Sequence, residues 1–233
     1  MKLFAVDSSG SAASAAVFVD GKILTESFSD VGLTHSTTLL YICDEAMKRA
    51  SLKPSDFDAF AVSDGPGSFT GLRIGISLVK GFAYPFGTPC IPVSTMEALS
   101  ANVPPSDGTV VLTCSDARRN RVYYAAFSGG KRLCPDGIME IPSLPSFLRN
   151  LGDRFIAVGD CAEKVVSQIG GEVDISAAPE HLSMCRASSV AKIAAEYYDI
   201  GEFVTPAELK PSYLQPSQAE REKNSHSEER QDK

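Results

Sequence analysis

The chain has 233 residues, of which 43% are hydrophobic, and a formal net charge of −7, enough to bury about 70% of its unfolded surface in one or two globular units. That acidic balance argues against a protein that grips nucleic acid over its whole surface, because phosphate contacts need a positive face. No run reaches the about 18 apolar residues of a membrane span, and Cys43, Cys90, Cys114, Cys134, Cys161 and Cys185 are dispersed without a Cys-x-x-Cys pair, which leaves buried free thiols as the expectation.

Met1-Lys2-Leu3-Phe4 runs straight into a strand with no signal-peptide organisation, so a cytoplasmic protein is expected. Lys2 to Val6, Ala12 to Val19 and Lys22 to Ser27 read as strands, the last two joined at Asp20-Gly21, a strong hairpin signal. A helix covers about His35 to Ala50, Lys53-Pro54-Ser55 turns the chain, and Phe57 to Ser63 reads as a short buried strand. The run Gly65-Pro66-Gly67-Ser68-Phe69-Thr70-Gly71-Leu72-Arg73-Ile74-Gly75 then makes a tight turn into a helix from Leu72 to Ala83, closed by Pro85. Cys90 to Val93 is a strand, and Ser94 or Thr95 caps a helix through Leu99.

Val103-Pro104-Pro105-Ser106-Asp107-Gly108 is the best boundary in the chain. Beyond it Thr109 to Cys114, Val122 to Phe127 and Phe155 to Val158 read as strands, Gly129-Gly130 turns into another, and Ala187 to Tyr198 reads as a helix. From Pro216 the composition is polar, with no apolar residue beyond Ala219, the signature of a disordered tail. Three strands, helix, strand, helix, strand is the order of a ribonuclease-H-like half, the unit duplicated in actin-like ATPases. The expected class is α/β, an actin-like fold of two tandem halves, 1–103 and 104–215, the second eroded, followed by a tail at 216–233. Fold of this kind carries no activity by itself.

Each glycine inside the second helix forgoes roughly 1 kcal/mol of helix propensity, so Gly71/Gly75 and the small pair Ser77/Gly81 imply close approach of a sheet, a helix or a ligand. A phosphate loop is the first alternative, since a helix N-terminus presents N–H groups to an anion. The pattern Gly-x-x-x-x-Gly-Lys-Ser/Thr is absent, as is Gly-x-Gly-x-x-Gly, because Thr70 stands where the third glycine belongs. Ser68 or Thr70 as a plain N-cap in a turn built for close packing is the simpler reading, with an anion site left open.

The same glycine run, preceded by a strand ending Ala5-Val6-Asp7-Ser8-Ser9 and followed by Asp116-Ala117-Arg118-Arg119-Asn120-Arg121-Val122-Tyr123, resembles the TsaB (YeaZ) family over residues 1 to about 215. Proteins of that family are subunits of the machinery that places threonylcarbamoyl on tRNA adenosine, under an older glycoprotease-like label. The resemblance implies a non-catalytic subunit that pairs with and activates a TsaD-like transferase. It further implies help in docking a TsaE-like ATPase, tRNA reached through the complex, and no membrane. It also implies no cofactor bound by this chain alone, with ATP or ADP at the complex interface.

Candidate chemistry is sparse. Asp7, Ser8 and Ser9 occupy the place where actin-type ATPases hold metal and phosphate, and read equally as an ordinary Asx or Ser turn. The TsaD family carries His-x-x-x-His on the helix that here starts at His35, and four residues on stands Leu39, so no metal site is expected. Ser68 lacks a Gly-x-Ser-x-Gly elbow. Arg118, Arg119 and Arg121 form one dense basic cluster, read either as a solvated hairpin end or as an RNA contact. The alternative function is a self-sufficient enzyme, a phosphotransferase using Asp7 or a peptidase.

Both central helices carry apolar residues on more than one stripe. Leu39, Leu40, Cys43 and Met47 on the first, with Gly71, Leu72, Gly75, Ile76, Val79 and Phe82 on the second, are therefore the candidate partner interface, and the resemblance places the TsaD-like contact on these helices. A free chain would cover the same surface with a second copy, as a homodimer. The alternative is that the two helices pack against each other and the rest of the chain.

Overall fold

The computed structural model describes residues 1–32 and 34–215; the expected tail at 216–233 lies outside the described residues. The first sheet comprises β1 (Lys2–Asp7), β2 (Ala13–Val19), β3 (Lys22–Ser29), β4 (Ala59–Gly65) and β5 (Cys90–Ser94), with α1 (His35–Arg49), α2 (Phe69–Ala83) and α3 (Thr95–Ser100). Asp20 and Gly21 turn β2 into β3 at φ 45° and 84°, the left-handed pair whose twist suits a two-residue hairpin. Strand order is β3-β2-β1-β4-β5, antiparallel across β1, β2 and β3 and parallel from β1 through β4 to β5.

The second sheet contains β6 (Thr109–Asp116), β7 (Arg121–Ser128), β8 (Lys131–Arg132), β9 (Gly137–Glu140), β10 (Arg154–Val158) and β11 (Asp174–Ala177). Its order is β11-β10-β6-β7-β8, with β9 also paired to β7. With β6 in the place of β1, both order and sense repeat the first sheet: β7 runs antiparallel to β6, and β10 and β11 run parallel. The second half is eroded in length and complete in topology. Its third strand is split into the two-residue β8 and four-residue β9, and its helices α4 (Leu144–Leu148) and α5 (Ala162–Ile169) are short. Segments so brief carry too few periods to register in sequence.

Side chains on both faces of β1 are buried, Leu3 and Ala5 toward one hydrophobic layer and Phe4 and Val6 toward another, which is why the strand reads as a continuous apolar run. Beneath the first sheet lie α1 and α2; outside the second lie α4 and α5. Between the sheets lie α3 and the last helix, α6 (Ala187–Asp199). Although late in sequence, α6 packs on β1, β2, β4 and β5, while α3, from the first half, packs on β6 and β7. The expected division at residue 103 separates the two sheets, each with an outer apolar layer, while the layer between them is shared.

After α6 the chain returns to the first sheet. Val204 exchanges both backbone hydrogen bonds with Cys90 at the edge of β5, each 2.8 Å, and Leu209 is buried in the layer under α1 and α2. Across the sheets, Ser94 caps α3 by accepting from Glu97 N and donates to Asp136 at 2.7 Å. Glu97 in turn accepts from Arg132 at 3.1 Å and from the Tyr197 hydroxyl at 2.8 Å. Beside this network burial, and then the Asp136 charge, push the Asp64 carboxyl up to about 7.

The glycine-rich turn is explained by contact with β1. A Cβ at Gly71 would meet the Ser8 carbonyl oxygen, and one at Gly75 the Ser8 hydroxyl, so α2 lies directly on the turn that follows β1. Ser8 Oγ donates to the Gly71 carbonyl at 2.9 Å, Ser68 N donates to the Ser9 carbonyl at 2.7 Å, and Ser68 Oγ caps α2 by accepting from Gly71 N. Gly81, by contrast, faces open space.

Gly71→Ala is expected to destabilise the protein by about 1–3 kcal/mol, because the added methyl meets backbone. Gly81→Ala, at an open helical position, is expected to stabilise by about 0.5–1 kcal/mol; urea unfolding midpoints of the pair check the contrast. A second expectation concerns pH. The folded chain holds the Asp64 proton more tightly than the unfolded one, so this residue costs stability as pH rises from the ordinary 3.8 to about 7, and no more above that. Asp64→Asn should therefore gain stability over the unaltered chain at pH 8 relative to the same comparison at pH 4, measured by denaturant unfolding at both.

Candidate functional site

The C-terminal ends of β1, β4, β6 and β10 converge on a cleft between the sheets with a cavity of about 600 Å³, the place where open α/β folds receive ligands. One wall is built from the turns after β1 and β4. Asp7 is 1% exposed, and its Oδ1 accepts from Ser9 N at 3.4 Å and Ser9 Oγ at 2.7 Å. This is the Asx turn, stapled to α2 through Ser8. Of Asp7, Ser8 and Ser9, Ser9 borders the cleft, while Asp7 and Ser8 are buried beneath it. Burial and then the Asp7 charge hold the neighbouring Cys185 thiol well above its usual range. What this wall offers a small polar ligand is the Ser11 and Thr70 hydroxyls, the Phe69 and Thr70 N–H groups at the start of α2, and Thr95 Oγ1, which is buried with no hydrogen-bond partner among the described residues.

The opposite wall repeats the first. Gly159 ends β10 at φ 131°, as Gly65 ends β4 at φ 133°, and at each a Cβ would strike a backbone carbonyl, that of Cys114 or of Ser212. Next to Gly159, the Asp160 carboxylate accepts from Asp116 N at 3.0 Å, and burial pushes its carboxyl up. Arg118, Arg119 and Asn120 turn β6 into β7 with φ of 65°, 54° and 57°, three consecutive left-handed residues held by the Arg118 N bond and guanidinium pair to Asp116. The three arginines of this segment do not share a face: Arg118 projects into solvent, whereas Arg121 turns inward to Gln215. Thr95 was expected only as an alternative to Ser94 at the cap, which Ser94 fills, and Asp160 was passed over; the apolar run before Gly159, matching that before Gly65, was the available signal for it.

His35 stands at the start of α1 with Nε2 2.9 Å from the Gly10 carbonyl oxygen, and Leu39 is fully buried one turn on. Among the described residues no three His, Cys, Asp or Glu side chains converge as a metal-binding group, and no helix is long and apolar enough to cross a membrane. Of the six cysteines, Cys134 is half-buried and the others buried, all as free thiols.

The expected interface residues are mostly interior. Leu39, Cys43, Met47, Ile76 and Val79 are buried in the layer under the first sheet, Leu72 is buried beside Gly65, and Gly71 and Gly75 are buried against Ser8. Phe82 is half-buried, in ring contact with Phe4 and Phe60 at 6.1 and 6.0 Å. Leu40 alone among the ten is open, at 57% exposure. The excess apolarity of α1 and α2 is consumed by the sheet, by the partner helix and by the returning segment at Leu209. The apolar residues that α1 shows to solvent are Leu40 and Tyr41, among exposed Ser36, Thr37, Asp44, Lys48 and Arg49 and near the exposed Val31 and Phe28 that line a shallow groove with Tyr41; α2 shows Thr70, Arg73, Ser77 and Gly81, followed by Tyr84.

Residues 29–141 match the family model described as TsaD, tRNA N6-adenosine threonylcarbamoyltransferase. The tRNA threonylcarbamoyladenosine biosynthesis protein TsaB of Escherichia coli is 26% identical over 92% of this chain and 94% of its own length. The protein of the same name from Bacillus subtilis is 31% identical over 54% of this chain and 55% of its own. An uncharacterised Pseudomonas aeruginosa protein described as similar to peptidase YEAZ superposes with a TM-score of 0.76 at 25% identity, covering 92% of this chain and 99% of that one. In sequence and in structure the chain is similar, over nearly its whole length, to proteins named TsaB and YeaZ.

Proposed function

We propose that the chain acts in tRNA threonylcarbamoyladenosine biosynthesis as an accessory subunit that pairs with a TsaD-type transferase and supports its activity. The observation that carries this reading is at α1. The helical turn on which the transferase family bears two histidines four residues apart here bears His35, tied to Gly10, and Leu39, at 0% exposure in the core. A chain that matches the transferase model across α1, α2 and the glycine-rich turn is built to pair with it as one half-copy with another, through equivalent surfaces related by a two-fold. The surface so used is the exposed side of α1 and α2, with Leu40, Tyr41 and Tyr84 at 57%, 74% and 68% exposure as its apolar anchors. In the absence of the transferase a second copy covers that surface. A TsaE-type ATPase docks on the pair, with ATP or ADP held at the complex interface and not by this chain alone, and tRNA is reached through the complex.

The pairing surface is tested by charge. Leu40→Glu and Tyr41→Glu should leave the melting temperature nearly unchanged and weaken binding to a TsaD-type chain by about tenfold or more, read by calorimetry. Met47→Glu and Val79→Glu put the charge into the core and should unfold the protein instead. Unaltered affinity in both folded variants would remove α1 from the interface. The accessory role is tested by turnover: the purified chain should hydrolyse neither peptides nor ATP, and should raise tRNA modification when added to the transferase and ATPase. Steady ATP hydrolysis lost on Thr95→Val would establish the cleft as a reaction centre and overturn the proposal.

A further inference from the structure

We infer that Ser212 to Gln215 form a latch across the rim of the cleft, joining the wall that carries α2 to the wall that carries β7. The segment starts on the first wall. Ser212 N donates to the Asp64 carbonyl at 2.8 Å, and the Ser212 carbonyl oxygen fills the space that the absent side chain of Gly65 leaves. Tyr213 is seated on α2: its ring stacks on Phe69 at 4.7 Å and 23°, and its hydroxyl accepts from Arg73 Nε at 2.9 Å, while the same guanidinium lies 3.9 Å over the Phe69 ring. Two residues later the chain is bonded to the second wall. Arg121 donates to Gln215 Oε1 at 3.0 Å, and Gln215 Nε2 donates to the Tyr123 hydroxyl at 3.1 Å, both partners being on β7.

Elsewhere the two halves are joined by the apolar layer of α3 and α6, by the polar network around Glu97 and by the segment before α6, whose Leu182 and Met184 carbonyls accept from Asn102 and whose Cys185 Sγ lies 3.8 Å from Ser63 Oγ; the rim at Phe69 and Arg121 is spanned by Ser212–Gln215. Upstream the tether is fixed, with Val204 paired to Cys90 and Leu209 1% exposed. Downstream its contacts are of a different kind, a stack with Tyr213 38% exposed, an exposed hydrogen bond from Arg73, and two half-buried side-chain hydrogen bonds of Gln215. Bonds of that kind are individually weak. A firm anchor a few residues from a weak clasp makes reclosure intramolecular and fast, so the clasp opens and closes without the core being disturbed.

Hydrogen exchange on the full-length chain tests the latch. With Tyr213→Ala the amides that knit each wall, Ser68 N on the first and Asp116 N on the second, should exchange about tenfold faster, the loss of one stack and one hydrogen bond. Amides of β1 and α6 should keep their rates, since the layer between the sheets is untouched. Unchanged protection at both walls overturns the proposal, and so does an even loss of protection through β1 and α6, which marks a purely structural role. Should Tyr213→Ala fail to fold, Gln215→Ala decides: it removes the bond to the second wall while leaving the aromatic seat whole, and faster exchange confined to Ser68 and Asp116 supports the latch whereas unaltered exchange overturns it.

Discussion

The first turns of α2 rest directly on the backbone of the turn that follows β1, and most of the first half is arranged around that contact. It exists because Gly71 and Gly75 present no side chain to Ser8, and it is locked by the Ser8 hydroxyl and the Ser68 amide. With the helix held there, Leu72, Ile76 and Val79 are carried onto the sheet and Arg73 and Ser77 are turned outward. The same contact shapes one wall of the cleft and folds Asp7 back on Ser9, so that an acid in the position of a metal-binding residue is spent on a turn. Helix propensity is sacrificed at two positions to obtain a rigid corner.

Two sheets of identical order share the helices between them, and this sharing explains the mechanics of the molecule. With α6 drawn from the end of the chain onto the first sheet and α3 from the first half onto the second, neither sheet can bury its inner face alone. Rotation of one sheet against the other is resisted below the cleft by close-packed side chains. Above it, the walls are joined at the rim by the Tyr213 stack and the hydrogen bonds of Gln215. Glycines of matching conformation at the ends of β4 and β10 show the duplication at the level of single residues.

Apolar excess on a helix invites an interface reading, and here that reading is largely answered within the chain. Both α1 and α2 meet the sheet and each other, and each buries one stripe, Leu39, Ile42, Cys43, Ala46 and Met47 on α1 and Gly71, Leu72, Gly75, Ile76, Val79 and Ala83 on α2. The remaining exposed apolar side chains, Leu40, Tyr41 and Tyr84, form a smaller surface than the sequence suggested, flanked by Val31 and Phe28 on the neighbouring strand edge.

Much of the fold was legible because its signals are local. Alternating and continuous apolar runs marked β1 to β7 and β10, Asp20-Gly21 marked the hairpin, Ser68 and Ser94 marked the caps, and Pro85 marked the end of α2, each a matter of backbone conformation or period within a few residues. The glycine run announced close packing by the stability it forgoes. Short elements such as β9, α4 and β11 escaped, being stabilised by contacts with partners farther away in sequence, whereas β8 was announced by the Gly129-Gly130 turn. Which apolar face is buried, that α6 crosses to the first sheet, that Asp160 faces the cleft, and that Tyr213 and Gln215 clasp its rim were decided by tertiary structure alone. These depend on contacts between residues scores of positions apart, whose free energy comes from burial and geometry that no local pattern encodes.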